Sequence, residues 1–416
     1  MGHISIWGLR GRKGRDRIVV RDHTHHHGVV ERDSAVKQFY LPTRVITGLG
    51  CFSEVAPTAR ALGRSALLVC GHAAMLRSGV LQRGLGDLDR AGVRTVVYNV
   101  AQGEPTLATV QAALELARRE RVEIVIGIGG GSVVDVAKAA AVLYTQTGTL
   151  QDYHRGRPLS KSGLPCIAVP TTAGTGTEVT GNAVLTDPER GVKESLRGLQ
   201  LFPSAAVVDP ELTLSLPPAV TASSGADALC QAIESFVAVA AEPPTDALAG
   251  QAICWIGRSL VRACADGSDI AARCDMLYGS LLAGMALANT RLGGVHGMAH
   301  PLGFKYHLPH GVICGLLLPY VMEYSLASAP EKYGEVARHL GIETRGVSPP
   351  AASLQAVDAI QAMLRRIGIP EHLADLGVKA ADLSEIIEKS LPSSNLKNNP
   401  RPLGAEDLRV ILERAL

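Results

Sequence analysis

Apolar residues recur along this chain with two periods. Short apolar runs rich in β-branched residues at 44–47, 65–70, 93–98, 124–128, 166–169 and 205–208 predict strands. They alternate with segments at 52–62, 81–91 and 106–120 in which apolar residues return every three or four positions, as on one face of a helix. Strands separated by helices pair in parallel, so residues 39–216 are expected to form a doubly wound, parallel-sheet α/β nucleotide-binding domain. Beyond Pro217-Pro218 the short runs stop. Residues 223–239, 246–265, 270–289, 354–367, 383–389 and 405–416 carry helical periodicity, and 217–416 is expected to be an all-α domain.

Residues 1–38 differ in kind. Arg10, Arg12, Lys13, Arg15, Arg17 and Arg21 crowd together ahead of His23-Thr-His-His-His27, without the apolar segment of a secretory signal, and predict a mobile extension with no chemistry. A length of 416 residues, 46% of them hydrophobic, allows a large core divided between two domains. The net charge of +2 gives no reason to expect nucleic acid or a membrane as partner. The eight cysteines form no Cys-x-x-Cys pair and mostly sit in apolar runs, which predicts reduced thiols and a cytoplasmic protein. No apolar run of the roughly 20 residues that a bilayer requires is expected.

Two loops suggest a nucleotide. At 127–138, Gly-Ile-Gly-Gly-Gly-Ser-Val-Val-Asp-Val-Ala-Lys, a buried strand turns straight into a helix. Gly129, Gly130 and Gly131 let backbone amides approach a pyrophosphate, and Ser132 is expected to cap a helix whose positive end favours the anion. The loop at 169–180 is crowded with hydroxyls, including Thr171, Thr172, Thr175 and Thr180. Alone these fit turn chemistry equally well; beside the glycine loop they read as a cleft wall. Asn182 and Lys193 follow, Lys193 as a cation for ribose or phosphate oxygens.

Residues 294–311 suggest a metal. His296 and His300 stand one helical turn apart, Pro301 and Gly303 are expected to end or bend that helix, and Pro309-His310 opens another, folding His310 back towards His296. Upstream, Asp227 and Gln231 are one turn apart on a further helix. Any one of these histidines is more often a core or surface residue. A carboxylate with several imidazoles is the ligand set of a divalent transition metal, and an open coordination position makes such a site catalytic. Nucleotide loops in one half and ligands in the other define a cleft between them.

From about Phe39 to Leu416 the chain resembles the iron-containing (group III) alcohol dehydrogenase family. The markers are Gly129-Gly-Gly-Ser-Val-Val-Asp135, Pro170-Thr-Thr-Ala-Gly-Thr-Gly-Thr-Glu178, Val208-Asp-Pro-Glu-Leu-Thr213, Gly225-Ala-Asp-Ala-Leu229, His296-Gly-Met-Ala-His-Pro-Leu-Gly303 and Pro309-His-Gly311. The resemblance implies the dehydroquinate synthase-like two-domain fold and hydride transfer between a nicotinamide dinucleotide and an alcohol, aldehyde or ketone. It places Asp227, His296 and His310 on ligands of Fe2+ or Zn2+, and His300 on an additional active-site histidine. Gly129, Gly130, Gly131, Ser132, Asp135, Thr171, Thr172, Thr175, Thr180, Asn182 and Lys193 fall on nucleotide contacts. It also implies a homodimer or larger homo-oligomer.

Gln231 departs from the family pattern, which has a histidine there. Its amide oxygen is a weaker donor, so either the metal stays, with Gln231 as a weak candidate ligand beside three good ones, the favoured reading, or it has been lost as in maleylacetate reductases. In the latter case His296, His300 or His310 supplies the proton. A dehydroquinate synthase-like lyase and a non-catalytic nucleotide-binding relative are the remaining alternatives. The turn Cys70-Gly-His-Ala-Ala-Met-Leu-Arg-Ser-Gly79 offers no carboxylate to a ribose 2′-OH. NADP(H) is therefore favoured over NAD(H), with Gly71 at the cofactor and His72 or Arg77 near its 2′-phosphate. Arg197, close after Lys193, suggests an anionic aldehyde or alcohol as substrate.

Overall fold

The computed structural model describes residues 5–10, 16–21, 27–31, 37–71, 79–100 and 103–416. His72 and Arg77 lie outside the described residues. The chain divides into two compact units, Met1–Phe39 and Tyr40–Leu416.

In the first unit β1 (Ser5–Arg10), β2 (Asp16–Arg21) and β3 (His27–Glu31) form an antiparallel meander, with Trp7 opposite Val19 and Ile18 opposite Val30. The segment expected to be a structureless extension thus carries strands. β-Branched residues at Ile18, Val19, Val20, Val29 and Val30 favour them over the charge that dominates the composition.

The second unit opens with alternating strands and helices: β4 (Arg44–Thr47), α1 (Val55–Leu62), β5 (Ser65–Gly71), α2 (Val80–Arg90), β6 (Arg94–Val100), α3 (Leu107–Arg119), β7 (Ile124–Gly129), α4 (Gly131–Leu143), α5 (Leu150–His154) and β8 (Cys166–Pro170). After a hairpin of β9 (Asn182–Asp187) and β10 (Val192–Arg197), β11 (Ala205–Val208) completes a six-stranded parallel sheet in the order β4-β11-β8-β7-β5-β6. Alternate residues serve opposite faces, as strand periodicity requires. Leu67, Val69 and Val125 pack in one core with residues of α3 and α4, whereas Leu68, Ile124, Ile126 and Ile128 pack in another with residues of α1 and α2. The parallel sheet is as expected. The β9–β10 hairpin is not, because Val-Lys-Glu-Ser-Leu-Arg of β10 has little strand propensity of its own.

Helices make up the rest: α6 (Pro218–Val237), α7 (Pro243–Ala265), α8 (Ile270–Thr290), α9 (Gly294–Tyr306), α10 (His310–Ser325), α11 (Pro330–His339), α12 (Pro349–Arg366), α13 (Leu383–Ser390), α14 (Asn395–Asn398) and α15 (Ala405–Ala415). One continuous apolar core joins them, with Leu229, Ile253, Leu277, Met298, Leu317 and Ile360 fully buried. Pro301, where an end or a bend was expected, does not end α9. The helix forgoes the bond from that position to the Gly297 carbonyl and runs on to Tyr306, held by the buried Leu302. α8 and the stretch His310–Ser328 are long and apolar enough to cross a bilayer, contrary to expectation; 56% and 61% of these windows are buried inside the bundle, as core helices are.

Candidate active site

Three helices bring the predicted ligands together. α6 carries Asp227 and Gln231, α9 carries His296 and His300, and α10 begins at His310. The reversal between α9 and α10 is short because His307 adopts the left-handed conformation, φ 54°, before Leu308 and Pro309. α10 then rests directly on the α6 backbone. A Cβ on Gly311 would lie 1.9 Å from the Ser223 carbonyl oxygen, so only glycine permits this approach.

His296 is fully engaged. Its Nδ1 lies 2.6 Å from Glu234 Oε2, and its Nε2 lies 3.3 Å from Asp227 Oδ1. Glu234 Oε1 also accepts the Val295 N–H at 2.7 Å. His310 Nε2 is 3.9 Å from the same Asp227 oxygen, and the His310 ring is 5.3 Å from that of His296 and 5.2 Å from that of His300 between centroids. Gln231 is turned so that its Nε2 donates to Asp227 Oδ2 at 3.0 Å. Its Oε1, like Nδ1 of His300 and of His310, is buried without a hydrogen-bond partner.

Two residues that the sequence reading passed over belong to this cluster. Glu234 holds His296, and its place one turn beyond Cys230 and two turns beyond Asp227 was a legible signal. Cys314 Sγ lies 3.5 Å from His310 Nε2 and 3.8 Å from His296 Nε2. Asp227, His296, His310 and Cys314 each offer a donor atom, all within 4.8 Å of one another. Cys230 Sγ approaches His296 from its other side, 3.8 Å from Nδ1.

The electrostatics separate the imidazoles. Burial disfavours charge on His296, but the neighbouring Cys314 and Glu234 and the bond to Asp227 together raise its pKa well above the ordinary value. Burial, followed by the charge of Lys193, holds His300 and His310 well below it. Burial raises the thiol of Cys230, whereas the hydrogen bond from Cys230 and the charge of His296 outweigh burial at Cys314 and lower it.

A cavity of ≈ 410 Å³ connects this cluster with the nucleotide loops. Asp227, Gln231, His296, His300 and His310 line its helical side. Of the expected cofactor residues, Gly131, Ser132, Asp135, Thr175, Thr180, Asn182 and Lys193 line the other. Gly71, Gly129, Gly130, Thr171 and Thr172 are not in its wall; Gly71 and Gly129 end adjacent parallel strands, and the Thr171 N–H donates to the Gly129 carbonyl at 3.0 Å. Ser132 is not the helix cap. Gly130 occupies that position, which leaves the N–H groups of Gly131 and Ser132, both residues of the cavity wall, in the first turn of the helix, where no carbonyl of the helix itself can accept them.

The glycine loop also answers to its protein neighbours. A Cβ on Gly129 would meet Val133 at 2.8 Å, and one on Gly131 would meet Thr175 at 2.6 Å. Asp135 and Thr180 are tied internally: Asp135 accepts bonds from the Thr177 hydroxyl and the Val184 N–H, and buried Lys138 donates to Thr177 and Thr180. Burial pulls the pKa of Lys138 down to about 8. Lys193 pairs with Glu104 at 2.8 Å. Arg197 and Arg291 share the cavity wall, and burial, then the like charge of Arg291, lowers the Arg197 pKa. At the far side of the polar loop Gly176 meets Gly284 of α8, where a Cβ on Gly176 would lie 2.5 Å from the Gly284 Cα.

Comparison with known proteins agrees with this architecture. Residues 42–210 match the family model described as iron-containing alcohol dehydrogenase, and residues 221–416 match that of the C-terminal part of the Fe-containing alcohol dehydrogenase family. The 1,3-propanediol dehydrogenase of Citrobacter freundii is 39% identical over 379 residues, 91% of this chain and 98% of that protein. A crystal structure of 1,3-propanediol oxidoreductase superposes with a TM-score of 0.89 at 38% identity, covering 92% of this chain and 100% of that one. The sulfoacetaldehyde reductase of Bifidobacterium kashiwanohense, solved in complex with NAD+, gives 0.84 at 32% identity, covering 92% and 99%. The chain belongs to the iron-containing alcohol dehydrogenase family and is an oxidoreductase of the alcohol dehydrogenase type.

Proposed function

We propose that this enzyme interconverts a small, negatively charged aldehyde and its alcohol by hydride transfer with NADP(H), at a divalent zinc or iron ion held by Asp227, His296 and His310. One observation carries the reading. A single cavity has the N-terminus of α4, Asn182 and Lys193 in one wall and a carboxylate with converging imidazoles in the other.

The donor set fits a cation. With Nδ1 of His296 bonded to the Glu234 carboxylate, the other ring nitrogen, Nε2, is the one turned to Asp227 Oδ1 at 3.3 Å. A cation bound between them would take the place of the Nε2 proton that this carboxylate favours. When bound, the ion supplies Lewis-acid stabilisation to a developing alkoxide and the nicotinamide supplies or accepts the hydride. Lys193 and the free N–H groups of Gly131 and Ser132 bind anionic oxygens of the dinucleotide. His300, uncharged at neutral pH, receives the proton that an alcohol gives up and passes it towards solvent. Gln231 steadies the second oxygen of Asp227.

The finer choices rest on particular residues. The sequence after Gly71, from His72 to Ser78, has no carboxylate to repel a 2′-phosphate, which supports NADP(H); the bound NAD+ named above belongs to that relative. Arg197 and Arg291 at the cavity support an anionic substrate, as does the likeness to a sulfoacetaldehyde reductase. Buried free thiols support a cytoplasmic location, and the family likeness supports a homodimer or larger assembly.

The test is an aldehyde panel assayed by NADPH and NADH oxidation, with protein stripped by chelator and then given zinc or iron(II). Turnover that requires added metal and is faster with NADPH and anionic aldehydes is the expected result. Turnover indifferent to metal removal would instead favour the metal-independent, maleylacetate reductase-like reading that Gln231 invites. No oxidation with any aldehyde would overturn both.

A further inference from the structure

Where the family pattern offers an imidazole, this chain has Gln231, and the amide is occupied in holding Asp227. Reversing the amide would set its oxygen against a carboxylate oxygen, so the donor assignment follows from charge. The place of a fourth ligand has another claimant. His310 and Cys314 stand one turn apart on α10, so both side chains leave the helix on the same face. Cys314 is buried, and its sulfur sits 3.5 Å from His310 Nε2 and 3.8 Å from His296 Nε2, within 4.8 Å of every other donor in the group.

We infer that Cys314 is the fourth protein ligand of the active-site ion, a thiolate on α10 that replaces the imidazole missing from α6. This rests on the metal-dependent reading above. Coordination takes the sulfur as thiolate, so the Cys314 thiol proton leaves to solvent as the ion binds, and no electrons are exchanged. The ligand set becomes one carboxylate, two imidazoles and one thiolate. That set is softer than a carboxylate with three imidazoles and selects zinc or cobalt(II) over iron(II). It also explains how α6 can lose a ligand without opening a gap: the replacement comes from the helix that already delivers His310.

Cobalt(II) is the probe, loaded into the full chain after chelation, with bound metal counted by elemental analysis and the near-ultraviolet spectrum recorded. The wild type is expected to bind cobalt and show an intense thiolate-to-cobalt charge-transfer band. Cys314→Ser and Cys314→Ala should lose that band while their circular dichroism stays native and some cobalt remains bound. Gln231→Ala should keep it. Cobalt bound by the wild type without the band, or a band that survives in both Cys314 variants, would overturn the inference while leaving the metal-dependent reading intact. A wild type that binds no cobalt or zinc at all would overturn both.

Discussion

Glu234 Oε2 and His296 Nδ1 are 2.6 Å apart, and the second oxygen of Glu234 is held by the N–H of the residue before that histidine. One carboxylate thus fixes both the helix turn and the ring. It keeps Nδ1 as the donor and turns Nε2 towards the proposed ion site. Glu234→Gln preserves size but weakens this hold, and is expected to reduce metal affinity by about 10–100-fold. The measurement is metal retained during titration with a competing chelator; retention equal to wild type would reduce Glu234 to a packing residue.

His300 is the proposed proton carrier, and its pKa is held well below the usual imidazole value by burial and then by Lys193. His300→Asn is expected to lower kcat by about 10²–10⁴-fold while dinucleotide binding, followed by fluorescence, is unchanged. Lys193→Ala removes a repelling charge and so raises the His300 pKa. Since His300 must be unprotonated to accept a proton from an alcohol, the acidic limb of the oxidation profile should move to higher pH; a limb that stays put argues against the relay.

The proposed preference for anionic substrates rests on Arg197 and Arg291 in the cavity wall. A hydrogen bond to a charged group contributes about 1.5–3 kcal/mol, so Arg197→Ala and Arg291→Ala should each cost roughly 10–100-fold in kcat/KM with an anionic aldehyde. Neutral aldehydes of similar size should be little affected. Parallel losses on both kinds of substrate would remove the anionic preference.

Glu178, buried within the polar loop with Oε1 unpartnered, has its pKa pushed from 4.5 to about 7, chiefly by loss of solvent. A carboxylate raised in this way stays protonated in the fold while the unfolded chain ionises. Stability is therefore fully present below about pH 4.5 and declines as pH rises to about 7, by roughly 3 kcal/mol at most. Glu178→Gln keeps the neutral form at every pH. Its melting temperature relative to wild type should climb between pH 5 and pH 8; a constant difference would mean that Glu178 is solvated.

The parallel sheet was legible because its inner strands β5, β7, β8 and β11 are buried on both faces and read as continuous apolar runs; β11 was found to the residue. The bundle was legible from helical periodicity, and the convergence of Asp227, His296 and His310 from their spacing. What escaped depended on distant parts of the chain. Cys314 reads as an ordinary buried thiol until α10 is laid against α6 and α9. The strands of the β9–β10 hairpin pair Lys193 with Thr186, a register no local propensity announces. Pro301 signals a helix end by itself, yet packing on both sides carries α9 past it.

Gly176 and Gly284 join the polar loop to α8 backbone against backbone, with Val179 of the loop packed beside the contact. A methyl group at either position would have to wedge loop and helix apart, so the width of the cleft they flank is set here by the bare backbone of two glycines.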